Sequence, residues 1–168
     1  MTRALRLILP LALGSIVATV LATRVDAGAG AASDADYPGV PDVAQARVDY
    51  MLKCQGCHQP NGQGNPVNTP PLAGEVARFL SAPGGREFLG RVPGVASVDL
   101  DNVRTAQVLN YALFKFDREH VPTGFKPYTA DEIGRLRSRP LRLERATVRA
   151  QLIEHLEAGK EVPKTHQE

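Results

Sequence analysis

Cys54, Cys57 and His58 stand in the run Cys54-Gln55-Gly56-Cys57-His58, and this C-x-x-C-H spacing suits covalent attachment of a c-type haem. Two thiols three positions apart can add to the two vinyl groups along one edge of a porphyrin. The next residue, His58, then projects its imidazole beneath the ring toward the iron. Gly56 eases the close passage of backbone past the macrocycle. The motif therefore calls for one covalent haem c, with Cys54 and Cys57 holding it and His58 as proximal iron ligand.

Three other chemistries use the same residue types. A redox dithiol of thioredoxin type would sit near a βαβ pattern, which the chain lacks. A structural zinc site needs four ligands, and the chain holds two cysteines in all. A disulfide could form in an oxidising compartment. It would leave unexplained the adjacent His58 and the Gly/Pro loop that begins two residues later.

The elements that must position these residues read as helices. From Asp42 to Lys53 the chain has helical character, with Asp42 as cap and Val43, Ala46, Arg47, Tyr50 and Cys54 at helical spacing. Residues 59–74 hold many Gly, Pro and Asn and read as loop. The stretch 84–97 reads as a continuation of loop with a helical turn. Thr105, Leu109, Leu113 and Phe116 mark a second helix between Asp101 and Phe116. Thr129 and Glu132 match a capping box with Ile133 and Leu136 behind it. After Pro140, Val148, Leu152 and Leu156 recur on one face of a last helix. No period-two strand pattern emerges, so the expected fold is all-α.

Arg3 and Arg6 precede the apolar run 7–22, and small residues follow it, in the order of a secretory signal peptide. The run holds Pro10 and Gly14 and is shorter than the ~20 residues of a spanning helix. Export is therefore expected, with a membrane association only if the leader stays uncleaved. The expected organisation is a signal peptide at 1–27, a flexible linker at 28–41, a haem domain at 42–117 and a helical extension at 118–168.

The 168 residues suit one domain of the usual ~100–200. With 23% charged and 43% hydrophobic residues, wholesale disorder is excluded. The formal charge of +2 is too small for a nucleic-acid footprint. Without residues 1–27 the chain carries 17 basic and 17 acidic side chains, so the exported form is close to neutral.

An N-terminal helix bearing Tyr50 runs into CQGCH, a loop carries Thr69-Pro70-Pro71-Leu72-Ala73-Gly74, and a later helix carries Val108-Leu109-Asn110-Tyr111-Ala112-Leu113. On these features the region 42–117 resembles the monohaem class I c-type cytochromes of bacterial periplasms. The resemblance implies a class I cytochrome c-like fold with additional C-terminal helices, in which the later helix crosses the first. It implies that a carbonyl at Pro70 or Pro71 accepts the His58 ring N–H, which would orient the imidazole and strengthen it as a donor. It also implies that Leu72 presses against the haem plane.

The family's electron carriers usually hold the iron's far side with a Met in a Met-Pro segment. Here the only methionines are Met1 and Met51, and Val92-Pro93-Gly94-Val95 stands where Met-Pro is expected. Met51 lies too close to Cys54 to reach the distal face. Three resolutions compete. His120 could fold back as distal ligand; Lys115, Lys126 or Tyr128 could ligate or cover the iron; or Val92 and Val95 could line the distal face and leave the iron open. His155 and His166 are more remote.

Two functions follow. The first is an exported electron carrier that exchanges electrons with a periplasmic redox protein, either a dehydrogenase or an acceptor, as a free protein or as a subunit of a larger oxidoreductase. The second is a haem protein with an open iron that binds a diatomic gas or reacts with peroxide. Peroxide chemistry would need a distal acid/base, for which only His120 is available. Enzymatic turnover has no sequence support of its own. The arginines at 135, 137, 139, 142, 145 and 149 read either as a docking surface or haem-edge cover, or as a solvated helical face.

Overall fold

The computed structural model describes residues 36–159; the expected leader at 1–27, residues 28–35 of the expected linker and the polar tail with His166 lie outside them. Seven α-helices occur among the described residues: α1 Val43–Lys53, α2 Gln55–His58, α3 Gly85–Arg91, α4 Pro93–Ala96, α5 Asn102–Asp117, α6 Ala130–Arg137 and α7 Arg145–Ala158. Single 3-10 turns lie at Ala77–Ser81 and Arg118–His120. The described residues contain no strand, only an isolated bridge between Asn65 and Thr69 within the loop. The fold is all-α.

Helices α1 and α5 start where their caps dictate. The Asp42 side chain accepts the Gln45 N–H at 2.8 Å, and Asp101 accepts that of Arg104 at 2.8 Å, each satisfying an amide left over at a helix start. The two helices meet through Tyr50 and Tyr111, whose ring centroids are 6.2 Å apart. Beside them Asp49, 1% exposed, takes Arg104 Nε at 3.0 Å and Nη2 on its other oxygen. This two-pronged contact fixes register as well as charge.

Two expectations need correction. Residues 36–41, expected as linker, are packed: Val40 is fully buried, Tyr37 stacks on Tyr111 with centroids 5.3 Å apart, and Asn110 Nδ2 donates to Gly39 O at 3.3 Å. Two aromatic and aliphatic anchors outweigh the local Gly/Pro composition. The stretch 84–97 is not mainly loop but two short helices, α3 and α4. Pro93 ends nothing here; it opens α4 at its first turn, where a missing N–H costs nothing. The turn at Ala77–Ser81 has no signal in the local sequence and is held from a distance, by Asp117 Oδ2 accepting the buried Ala77 N–H at 2.7 Å.

Of the capping box expected at Thr129 one half is present, its hydroxyl accepting from Glu132 N at 3.2 Å; the Glu132 carboxylate takes Arg86 instead, at 2.6 and 2.7 Å. Helices α6 and α7 are joined to the rest by a shared core. Tyr128, Ile133, Leu136, Leu141 and Leu152 are buried in one cluster with Phe79, Phe88, Leu109 and Leu113. Each large side chain of this kind gains ~1.5–3 kcal/mol on burial, so the region after Arg118 is part of the same hydrophobic unit. A second cluster of Val40, Ala46, Tyr50, Leu100, Val108 and Tyr111 lies between α1 and α5.

Candidate haem cavity

The tail of α1 and the short α2 carry Cys54, Cys57 and His58 into the wall of a cavity of about 450 Å³. That volume falls within the ~300–1,000 Å³ of small-molecule sites. Cys54 closes α1 with its N–H on Tyr50 O at 2.9 Å, and the His58 N–H returns to Cys54 O at 3.0 Å. The helical turn thus holds both thiols and the imidazole together without any partner from outside. Both cysteines are free, Cys54 half-buried and Cys57 exposed. Burial, then the charges of Asp49 and Cys57, push the Cys54 thiol up to about 11. Among the described residues no three of His, Cys, Asp and Glu gather as a metal site.

The loop 59–74 forms the neighbouring stretch of wall with Asn68, Thr69, Pro70, Pro71 and Leu72. It is folded back by Leu72 N–H to Gly62 O at 2.7 Å and by Tyr50 Oη donating to Gln59 O at 2.6 Å. Gly62, at φ +73, is required: a Cβ there would stand 2.6 Å from Phe116 Cδ1. Burial lowers the pKa of His58, and the Pro70 carbonyl opposes this. Of the two carbonyls expected beside the ring, Pro70's is the one that acts on it. His58 Nδ1 is nevertheless buried without a partner in hydrogen-bond geometry. Pro71 and Leu72 also line the cavity.

Most of the remaining wall is carbon. Phe88 and Leu89 come from α3, Val92 from the junction before α4, Val95 from α4, and Val108, Leu109 and Ala112 from α5. Arg145, Ala146 and Arg149 of α7 also line it. Arg149 lies with its guanidinium carbon 5.7 Å from the Phe79 ring centroid, a cation–π contact. Of the arginines after Arg118, these two therefore face the cavity. Arg137 instead ties α6 to the α4–α5 connection through Ala96 O, Val98 O and Leu100 O at 3.2, 2.6 and 2.8 Å. Composition alone could not separate these roles.

His120, expected as a distal ligand, does not line the cavity; its Nδ1 lies 2.5 Å from Asp117 Oδ1. The short spacing of three residues on one turn favours that local pair over a fold back. Lys115, Lys126, Tyr128 and His155 are also absent from the lining. Tyr128 is 3% exposed, with its hydroxyl donating to Arg86 O at 2.8 Å. Met51 is 48% exposed on the outer face of α1 and away from the cavity. Val92 and Val95 are brought to it.

An all-α shell closed over an apolar cavity, with a C-x-x-C-H turn in its wall, defines a c-type cytochrome with a single haem. No protein-family model matches the chain. A cytochrome c-552 of Thermus thermophilus is 39% identical over 120 residues, covering 59% of this chain and 81% of the relative. A second cytochrome c-552 of the same species is 39% identical over 107 residues, covering 53% and 82%. The chain belongs to the cytochrome c-552 family of c-type cytochromes, and so carries one covalent haem c and acts in electron transfer.

Proposed function

We propose that the chain is an exported carrier, periplasmic in location, whose haem is held by thioether bonds at Cys54 and Cys57 and by His58 as proximal ligand. The observation that carries this reading is the convergence of those three side chains on one wall of an apolar cavity. The residues fit such a group: His58 is half-buried at the wall with a buried, unpartnered Nδ1, and the Pro70 backbone carbonyl acts on the ring. When bound, the haem supplies an iron that cycles between ferric and ferrous states.

The protein's own groups do the rest. Cys54 and Cys57 anchor one edge of the ring, and the exposure of Cys57 brings that edge to the surface where a redox protein can approach. Pro70 would take the proton side of the His58 ring and keep its other nitrogen aimed inward. Leu72, Phe88, Leu89 and Leu109 exclude water, which limits reorganisation when charge is gained or lost. Among the described residues no helix is long and apolar enough to cross a membrane. The redox partner is a periplasmic dehydrogenase or acceptor, and the chain acts as carrier rather than enzyme.

Expression of the full chain in a host that matures c-type cytochromes tests the reading. The mass should equal the processed polypeptide plus one haem, and voltammetry should give one reversible one-electron couple. A bare polypeptide mass overturns it.

A further inference from the structure

A haem held at Cys54 and Cys57 would meet His58 on one face; a second protein ligand would have to come from the rest of the wall. Apart from the Asn68 amide, the polar side chains there are neutral hydroxyls held in place by other acceptors, or cations. Tyr50 Oη donates to Gln59 O at 2.6 Å, Thr105 Oγ1 to Asp101 O at 2.7 Å, and Thr69 Oγ1 to Asn68 Oδ1 at 3.1 Å. Lys53 Nζ lies 3.6 Å from Asp99 Oδ2 and would have to give up both that carboxylate and a proton. A guanidinium has no lone pair to donate, so Arg145 and Arg149 are unsuited.

Ligands from outside the wall are no better placed. Met51 is turned outward, and His120 is engaged with Asp117. Along α3 and α4, residues Phe88, Leu89, Val92 and Val95 present only carbon to the cavity. Val92 and Val95 are only half-buried, so the wall is apolar yet close to the surface.

We propose that this aliphatic wall leaves the second axial side of the iron without a protein ligand among the described residues, and forms a binding site for a neutral diatomic gas. The inference rests on the haem attachment argued above. A neutral molecule suits the site because it enters a carbon-lined space with little loss of hydration, whereas an anion would lose much more. A bound haem would supply ferrous iron to accept its lone pair; any weakly held water would leave intact, and no electron or proton would change hands.

The test uses the full haem-loaded chain, reduced with dithionite and titrated with carbon monoxide. Mass spectrometry comes first, and a missing haem there defeats the attachment reading itself. With haem attached, the expected result is a saturable shift of the Soret band, reversed by a light flash. A haem-loaded protein whose Soret band does not move overturns the inference. So does a shift that appears only after Lys53→Ala, since lysine then holds the iron. Val92→Met and Val95→Met place a thioether on the same wall; at least one should keep its haem, turn low-spin and lose the carbon monoxide shift. An unaltered shift in both haem-loaded variants overturns the placement of the site against this wall.

Discussion

Along residues 50–72 the cavity wall carries nearly all of its reactive atoms, whereas along residues 88–98 it carries hydrocarbon alone. The first stretch is held by backbone turns and local hydrogen bonds: Tyr50 to Gln59, Leu72 to Gly62, His58 to Cys54. The second is held from behind by packing, with Phe88 and Leu89 in the large core beside Leu113 and Ile133. The contrast teaches that attachment and environment are specified by different means in this chain. Chemistry is written into a five-residue run, while the surroundings of that chemistry depend on residues from α3 to α7.

The largest effect separates the two stretches outright. Cys54→Ala with Cys57→Ala should abolish covalent haem, read as a polypeptide mass without the added group, while Val92→Ala should keep it. The next tests the support behind the carbon wall. Leu113 is fully buried in the large core, and Leu113→Ala should cost ~2–5 kcal/mol of stability in denaturant unfolding. Attachment of haem to the soluble variant should persist, because the turn at 54–58 is locally held.

Smaller effects probe single contacts. Tyr50→Phe removes the bond to Gln59 O and should cost ~0.5–1.5 kcal/mol. Burial pushes the Tyr50 hydroxyl from 10.0 up to about 12. Its folded pKa lies above the unfolded one, so its contribution is fully present below pH 10.0 and is lost as pH rises toward about 12. Alkaline unfolding of Tyr50→Phe should therefore show a shallower slope across that window than the parent. Last, Arg149→Ala deletes the contact over Phe79 and should cost ~0.5–1 kcal/mol, with a lowered Tm as the readout.

What could be read from the sequence was local. The Asp42 cap, the Thr129 cap and the C-x-x-C-H turn each complete themselves within a few residues, and all are present in the fold. The helices α3 and α4 are masked in the sequence because Gly84, Gly85 and Gly90 dilute their periodicity and Pro93 looks like a breaker. Gly90 is there for close approach, since a Cβ at that point would collide with the Leu136 side chain of α6. The same limit applies to the arginines. Arg137 serves carbonyls 37 to 41 positions away, and Arg149 faces a cavity whose motif lies far earlier in the chain. His120 went the other way: an imidazole free in the sequence to reach iron is engaged by a carboxylate one turn before it. Packed segments such as 36–41 were hidden by composition, because Val40 and Tyr37 find their pockets only when α5 is in place.

The cavity is bounded by residues as early as Tyr50 and as late as Arg149. A broad, stiff plate fixed at its edge there would touch segments far apart in the chain and so bind the early turn and the final helix into one unit.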